Sequence, residues 1–145
     1  PFNKYDVECY KTCSDCYNIG NANNHYCLSC DNTKGYYFKE NDIKKNCYNN
    51  NTIGLGYYLD KNNQIFKKCH TRCSACNKEG TNSASNCQKC NTANNYHFDP
   101  IKENHCIKFN ELPNTSYYLD TNEDKYQLCH ESCLTCSGPN NDNCI

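Results

Sequence analysis

The residues that could do chemistry in this chain are its 16 cysteines among 145 residues. Their spacing admits three uses. Cys13-x2-Cys16-x10-Cys27-x2-Cys30 has the spacing of a four-thiolate zinc site, and Cys73, Cys76, Cys87 and Cys90 repeat it. His70 and His130 directly follow Cys69 and Cys129, which puts a base beside a candidate thiolate nucleophile. The third use is as structural staples. Counting separates the three. A zinc reading leaves Cys9 and Cys47 unused, and near the end Cys133 and Cys136 have only Cys144 beyond them. A nucleophile copied at every repeat is a poor catalyst design. Disulfides alone use all 16 cysteines with none left over. Asp120 to Asp124 (DTNED) echoes the start of a calcium loop, but Lys125 stands where such a loop needs glycine, and the corresponding DKNNQ has lost most of its acids. No cofactor, metal ligand set or catalytic residue is assigned.

The rest of the composition explains why staples are needed. The chain is strongly polar, with no Trp and no Met. Such a chain cannot bury enough apolar surface to offset a backbone ordering cost of roughly 1–2 kcal/mol per residue. Cysteine at this density marks a disulfide scaffold, which belongs to oxidising compartments. Fifteen basic and 16 acidic residues are interspersed, so no basic stripe exists for nucleic acid. No apolar run approaches the roughly 18–20 residues of a membrane span. The chain starts at Pro1 without Met or leader, which reads as a piece of a longer secreted protein. Its Asn, Lys, Tyr and Ile content hints at an AT-rich coding genome, as in some protists.

The cysteines recur with a period. Cys9, Cys69 and Cys129 lie 60 positions apart. Tyr57-Tyr58-Leu59-Asp60 returns as Tyr117-Tyr118-Leu119-Asp120, and Tyr36 and Phe38 return as Tyr96 and Phe98. The expected organisation is the end of a preceding repeat at 1–8, repeat 1 at 9–68, repeat 2 at 69–128 and a truncated repeat 3 at 129–145. Tyr-rich runs flanking Asn-rich turns predict hairpins over 35–47, 56–69 and 95–106, with no convincing helix.

Six cysteines allow 15 pairings. The local pattern favours an interleaved one, first to third and second to fourth, which avoids joining Cys13 to Cys16 across two residues. It predicts Cys9–Cys16, Cys13–Cys27 and Cys30–Cys47, then Cys69–Cys76, Cys73–Cys87 and Cys90–Cys106, then Cys129–Cys136 and Cys133–Cys144. Each such bridge is worth roughly 2–3 kcal/mol on the chain-entropy model.

The stretch CHESCLTCSGPNNDNC, from Cys129 to Cys144, resembles the cysteine-rich module of the furin-like, growth-factor-receptor type, arrays of which are common in large surface and secreted proteins of ciliates and apicomplexans. That resemblance implies the same interleaved pairing, elongated rods of stacked hairpins and no catalysis. The first two units depart from the third, because Cys16 and Cys76 are followed by Asn-rich inserts.

Two sequons, Asn50-Asn51-Thr52 and Asn114-Thr115-Ser116, lie between cysteine clusters and predict N-glycosylation at Asn50 and Asn114. In each Tyr-Tyr pair, strand alternation sends one ring to each face. Outward Tyr57 and Tyr117 would then form a possible assembly surface. The expected fold class is small and disulfide-rich: tandem short β-hairpin modules in an elongated rod, with little or no helix. The expected function is a non-enzymatic extracellular structural segment of a surface coat, appendage or filament, self-associating along or between arrays and carrying covalent glycans. An adhesion or receptor ectodomain stalk is the alternative.

Overall fold

A computed structural model describes residues 8–145. Of the segment assigned above to a preceding repeat, all but Glu8 lies outside the described residues. The chain forms two compact units that divide between Lys68 and Cys69. The second runs to Ile145 and so includes residues 129–145. No α-helix occurs among the described residues, and none of their helices is long and apolar enough to cross a membrane.

In the first unit, β1 (Cys13–Cys16) pairs antiparallel with β2 (Cys27–Cys30) around a bulge. A 3-10 turn at Asn32–Lys34 follows and closes on Gly35, whose φ of 78° is the left-handed conformation that glycine adopts without strain. Then come β3 (Tyr37–Lys39), β4 (Cys47–Tyr48), β5 (Tyr57–Asp60) and β6 (Ile65–Lys68), in the sheet order β4-β3-β6-β5. The pairs β3–β4 and β5–β6 are the antiparallel hairpins expected from the Tyr-rich runs. A parallel pairing of β3 with β6 joins the hairpins into one sheet, which sequence pattern did not anticipate.

The second unit repeats this plan. β7 (Cys73–Cys76) pairs with β8 (Cys87–Cys90). β9 (His97–Phe98), β10 (Cys106–Ile107), β11 (Tyr117–Asp120) and β12 (Lys125–Leu128) form a sheet ordered β10-β9-β12-β11. Beyond it, the backbones of Cys136 and Cys144 pair antiparallel at one isolated point.

The asparagines place the turns. Asp60 Oδ1 accepts the Asn62 and Asn63 amides, and Gln64 closes that turn at φ 52°. Asp120 does the same for Asn122 and Glu123, with Asp124 at φ 52°. DTNED is therefore a hairpin turn whose first carboxylate is engaged by backbone amides. Asn41, Asn86, Asn95 and Asn104 also take positive φ, a region in which Asn is tolerated best after Gly.

Sulfur is the core. Cys13, Cys27, Cys87 and Cys106 are completely buried, and Tyr10, Tyr36 and Phe38 pack around the first cluster. Under each four-stranded sheet lies a smaller aromatic centre. Phe66 is buried with Tyr37 edge-on at 6.0 Å. At the corresponding place Tyr126 is buried between His97 and Phe109, at 5.5 and 5.9 Å.

Candidate functional site

All 16 cysteines are in disulfides, with no free thiol. The first unit holds Cys9–Cys16, Cys13–Cys27 and Cys30–Cys47. The second holds Cys69–Cys76, Cys73–Cys87 and Cys90–Cys106, then Cys129–Cys136 and Cys133–Cys144. Paired sulfur neither ligates zinc nor attacks a substrate. His70 Nε2 lies 3.0 Å from Asn82 Oδ1, and His130 Nδ1 lies 2.7 Å from Ser132 Oγ. Both imidazoles are engaged with their own loops.

Beside each knot sits a buried clasp of two side chains that swap roles between the units. In the first, the His25 amide donates to Asn46 Oδ1 at 2.8 Å, and the Cys47 amide donates to His25 Nδ1 at 3.0 Å. Thr12 Oγ1 also approaches that Nδ1, at 2.9 Å. In the second, the Ser85 amide donates to His105 Nδ1 at 3.1 Å, and the Cys106 amide donates to Ser85 Oγ at 3.0 Å. Each clasp ties the loop before the fourth cysteine to the amide of the sixth, and each contains one histidine. Burial lowers the pKa of both His25 and His105, and for His105 the nearby Arg72 charge adds to the effect. A neutral Nδ1 suits both sites, because it must accept a backbone N–H.

The sites expected on the surface fare differently. Asn50 and Asn114 are both exposed. The Thr52 hydroxyl of the first sequon is turned back onto Asn49, accepting its amide at 3.0 Å. Asn114 Oδ1 accepts the Ser116 amide at 2.9 Å, and Ser116 Oγ donates to the Leu134 carbonyl at 3.0 Å. Tyr57 and Tyr117 do not form a matched outward pair. Tyr57 is half-buried, with Lys39 Nζ 5.5 Å from its ring centre, and Tyr117 is buried at 7 % exposure. The buried member of the pair is Tyr58 in the first unit and Tyr117 in the second. Ser116, just before β11, holds the Cys129 amide and the Leu134 carbonyl, so the last cysteine cluster closes over that end of the strand.

Sequence reasoning missed two concavities of the first unit. One is an open cleft of about 600 Å³ whose apolar lining is Leu28, Phe38, Ile43 and Ile65. The other, of about 320 Å³, lies beside the clasp among Tyr10, Tyr36 and Tyr48. A signal existed, in departures from the repeat: Leu28 and Ile65 stand where the second unit has Gln88 and Lys125, and Thr12 stands where it has Arg72.

No family model matches the sequence. The chain is 28 % identical over 142 residues to Extracellular matrix organizing protein FRAS1 of Homo sapiens, a match covering 95 % of this chain and 3 % of that protein. It is also similar to Proprotein convertase subtilisin/kexin type 5, at 32 % identity in Rattus norvegicus and 31 % in Homo sapiens over 91 residues. Those matches cover 61 % of this chain and 4 % of each relative. The chain thus spans only 3–4 % of the length of the curated relatives it matches. It is a cysteine-rich, disulfide-stapled repeat module. Its disulfide density, together with a relative named for the extracellular matrix, favours an extracellular setting.

Proposed function

We propose that this chain is a structural segment of a longer extracellular array, built from recurring cysteine frames so that contacts can repeat from unit to unit, and decorated with N-linked glycans at Asn50 and Asn114. The observation that carries the reading is the 60-residue recurrence of a fully bridged cysteine frame. Identical units offer identical contacts, and head-to-tail contacts that do not close produce filaments. The exposure of both sequon asparagines supports the glycan reading.

A second reading, an adhesion or receptor stalk that binds a protein or glycan, is favoured by the two concavities of the first unit. The two readings separate in one experiment. The oxidised chain from a secreting eukaryotic host is examined by sedimentation velocity over a concentration series, before and after glycosidase. Mass that rises with concentration supports the structural array. A single monomeric species at every concentration would overturn it in favour of the stalk. Mass unchanged by glycosidase would remove the glycans from the proposal.

A further inference from the structure

The second unit seats its own arginine in a pocket. Arg72 donates to the Cys106 carbonyl at 3.0 Å and makes a two-pronged pair with Glu111, at 2.9 and 2.6 Å. Its guanidinium carbon lies 5.4 Å from the centre of the Tyr96 ring. This is the guanidinium geometry that lysine cannot reproduce: a planar fork, stacked on one side and hydrogen-bonded at its edge.

The first unit keeps the same backbone around the same place. The Asp31 amide donates to the Thr12 carbonyl at 3.0 Å, as the Asn91 amide does to the Arg72 carbonyl at 2.9 Å. The Tyr36 amide donates to Asp31, as the Tyr96 amide does to Asn91. The Asn49 amide donates to Thr52 Oγ1 at 3.0 Å, as the Lys108 amide does to Glu111 Oε2 at 2.8 Å. Thr12 therefore occupies the station of Arg72, Tyr36 that of Tyr96, Cys47 that of Cys106 and Thr52 that of Glu111. Two short side chains stand where the second unit has two long ones, and a cavity of about 320 Å³ lies among Thr12, Tyr36, Cys47 and Thr52. That volume is within the range of ligand sites, roughly 300–1,000 Å³.

We infer that this cavity is a receptor for an arginine side chain of a partner protein, which enters it as Arg72 enters the sister pocket. The Tyr36 ring supplies the stacking face. The Cys47 carbonyl is placed to accept the edge N–H. Tyr10 and Tyr48 wall the cavity, but Lys39 Nζ already lies 4.9 Å from the Tyr48 ring centre, so the aromatic face offered to the guanidinium is that of Tyr36. Asp42 accepts the Tyr48 hydroxyl at 2.9 Å and puts a carboxylate behind that wall. Lys11, also in the lining, is exposed, with its Nζ 6.0 Å from the Tyr10 ring centre. Arg72 is the one arginine in the chain and is already paired with Glu111. A second copy of these 145 residues therefore has no free guanidinium to offer, and the occupant is an arginine that lies outside them. This inference does not rest on the structural-array reading.

The test is an NMR titration of the intact, oxidised chain with N-acetyl-arginine amide, beside the neutral isostere N-acetyl-citrulline amide and N-acetyl-lysine amide. Saturable shifts of the Tyr10, Tyr36 and Tyr48 ring protons are expected with arginine, at an affinity about tenfold above either analogue. Tyr36→Ala should abolish them. Thr12→Arg combined with Thr52→Glu transplants the Arg–Glu pair of the second unit and should abolish them by filling the cavity from within. If that double variant shows free thiols on alkylation, Tyr36→Ala alone decides. Equal binding of citrulline or lysine, shifts that do not saturate, or binding that survives Tyr36→Ala would overturn the inference. Because the readout is on the monomer, its failure is separate from failure to self-associate.

Discussion

The two units differ least where sulfur holds them and most where side chains fill the gaps that sulfur leaves. The sequence separations of their first two bridges are identical, 7 and 14 in each. Their clasps, by contrast, have exchanged partners: His25 with Asn46 in one, Ser85 with His105 in the other. Both versions present an acceptor to the same two backbone amides. What the frame requires is that those buried N–H groups be satisfied, and the identity of the acceptor is secondary. A covalent scaffold tolerates this exchange because its stability does not depend on any one side-chain fit. The same frame carries Thr12 and Thr52 beside the pocket of the first unit where the second has Arg72 and Glu111.

The severest way to break the comparison is to remove a bridge from one unit. Replacing Cys13 and Cys27 together by Ala should cost about 3 kcal/mol, and so should replacing Cys73 with Cys87, because each closes a loop of similar length. Calorimetry should show the loss confined to the unit that carries the change. Loss of both transitions together would mean that the units melt as one. Next come the glycines. A Cβ on Gly20 would collide with the His25 carbonyl oxygen, and one on Gly80 with that of Ser85. Both neighbours are backbone and cannot swing aside, so Gly20→Ala and Gly80→Ala should each cost roughly 1–3 kcal/mol in thermal unfolding. Gly138→Ala meets the Asn143 side chain instead and should cost less.

The clasp sharpens the comparison further. His25→Ser alone keeps a hydroxyl where Ser85 accepts the Cys106 amide, but it empties the space of the ring and strips Thr12 Oγ1 of its Nδ1 partner, and should cost about 1–3 kcal/mol. Adding Asn46→His rebuilds the arrangement of the second unit, and a double-mutant cycle should recover about 1 kcal/mol or more. Strict additivity would mean that the exchange of roles is coincidence. The same histidines set an acid limit. Burial lowers both in the folded state, so the unfolded chain binds protons first as pH falls. Their stabilising contribution is complete above the ordinary histidine value near 6.5 and is lost as pH drops from there through the folded values. Chemical denaturation at pH 7.5 and 4.5 should show a midpoint that falls on acidification. The fall should be smaller in a variant carrying His25→Ser and His105→Asn, measured against its own value at the higher pH.

Much of this frame was legible in advance because cysteine spacing and turn chemistry are local. Asp60 and Asp120 cap their turns through amides two and three residues on, and any reader of DKNNQ and DTNED can see a polar turn. The parallel pairing of β3 with β6 was not legible. It joins Phe38 to Ile65 across a separation that no local pattern reports, and one pair of strands leaves little signature. The covering of Tyr117 was hidden for the same reason, since it depends on Ser116 reaching the Leu134 carbonyl. The pocket was hidden in a different way. Thr12 and Thr52 look unremarkable until set against Arg72 and Glu111, so the informative signal was the place where the repeat fails rather than the repeat itself.

The gentlest test lies at the tip of the second hairpin in each unit. Lys67 Nζ reaches Asp60 Oδ2 at 2.7 Å, and Asn63 Nδ2 donates to the same oxygen at 2.7 Å. Those contacts hold the Asp60 carboxyl well below its usual range. At the matching place Gln127 Nε2 donates to Asp120 Oδ2 and Glu123 Oε2, both at 3.0 Å, with no cation involved. The units thus use a charged and a neutral tie for one turn. A surface ion pair contributes little and weakens with salt, whereas an amide donor is nearly indifferent to it. Lys67→Gln should therefore cost little in dilute buffer, the smallest effect of this series, and the difference from wild type should close as sodium chloride is raised. A persistent gap at high salt would show that the lysine stem, rather than its charge, holds the first hairpin.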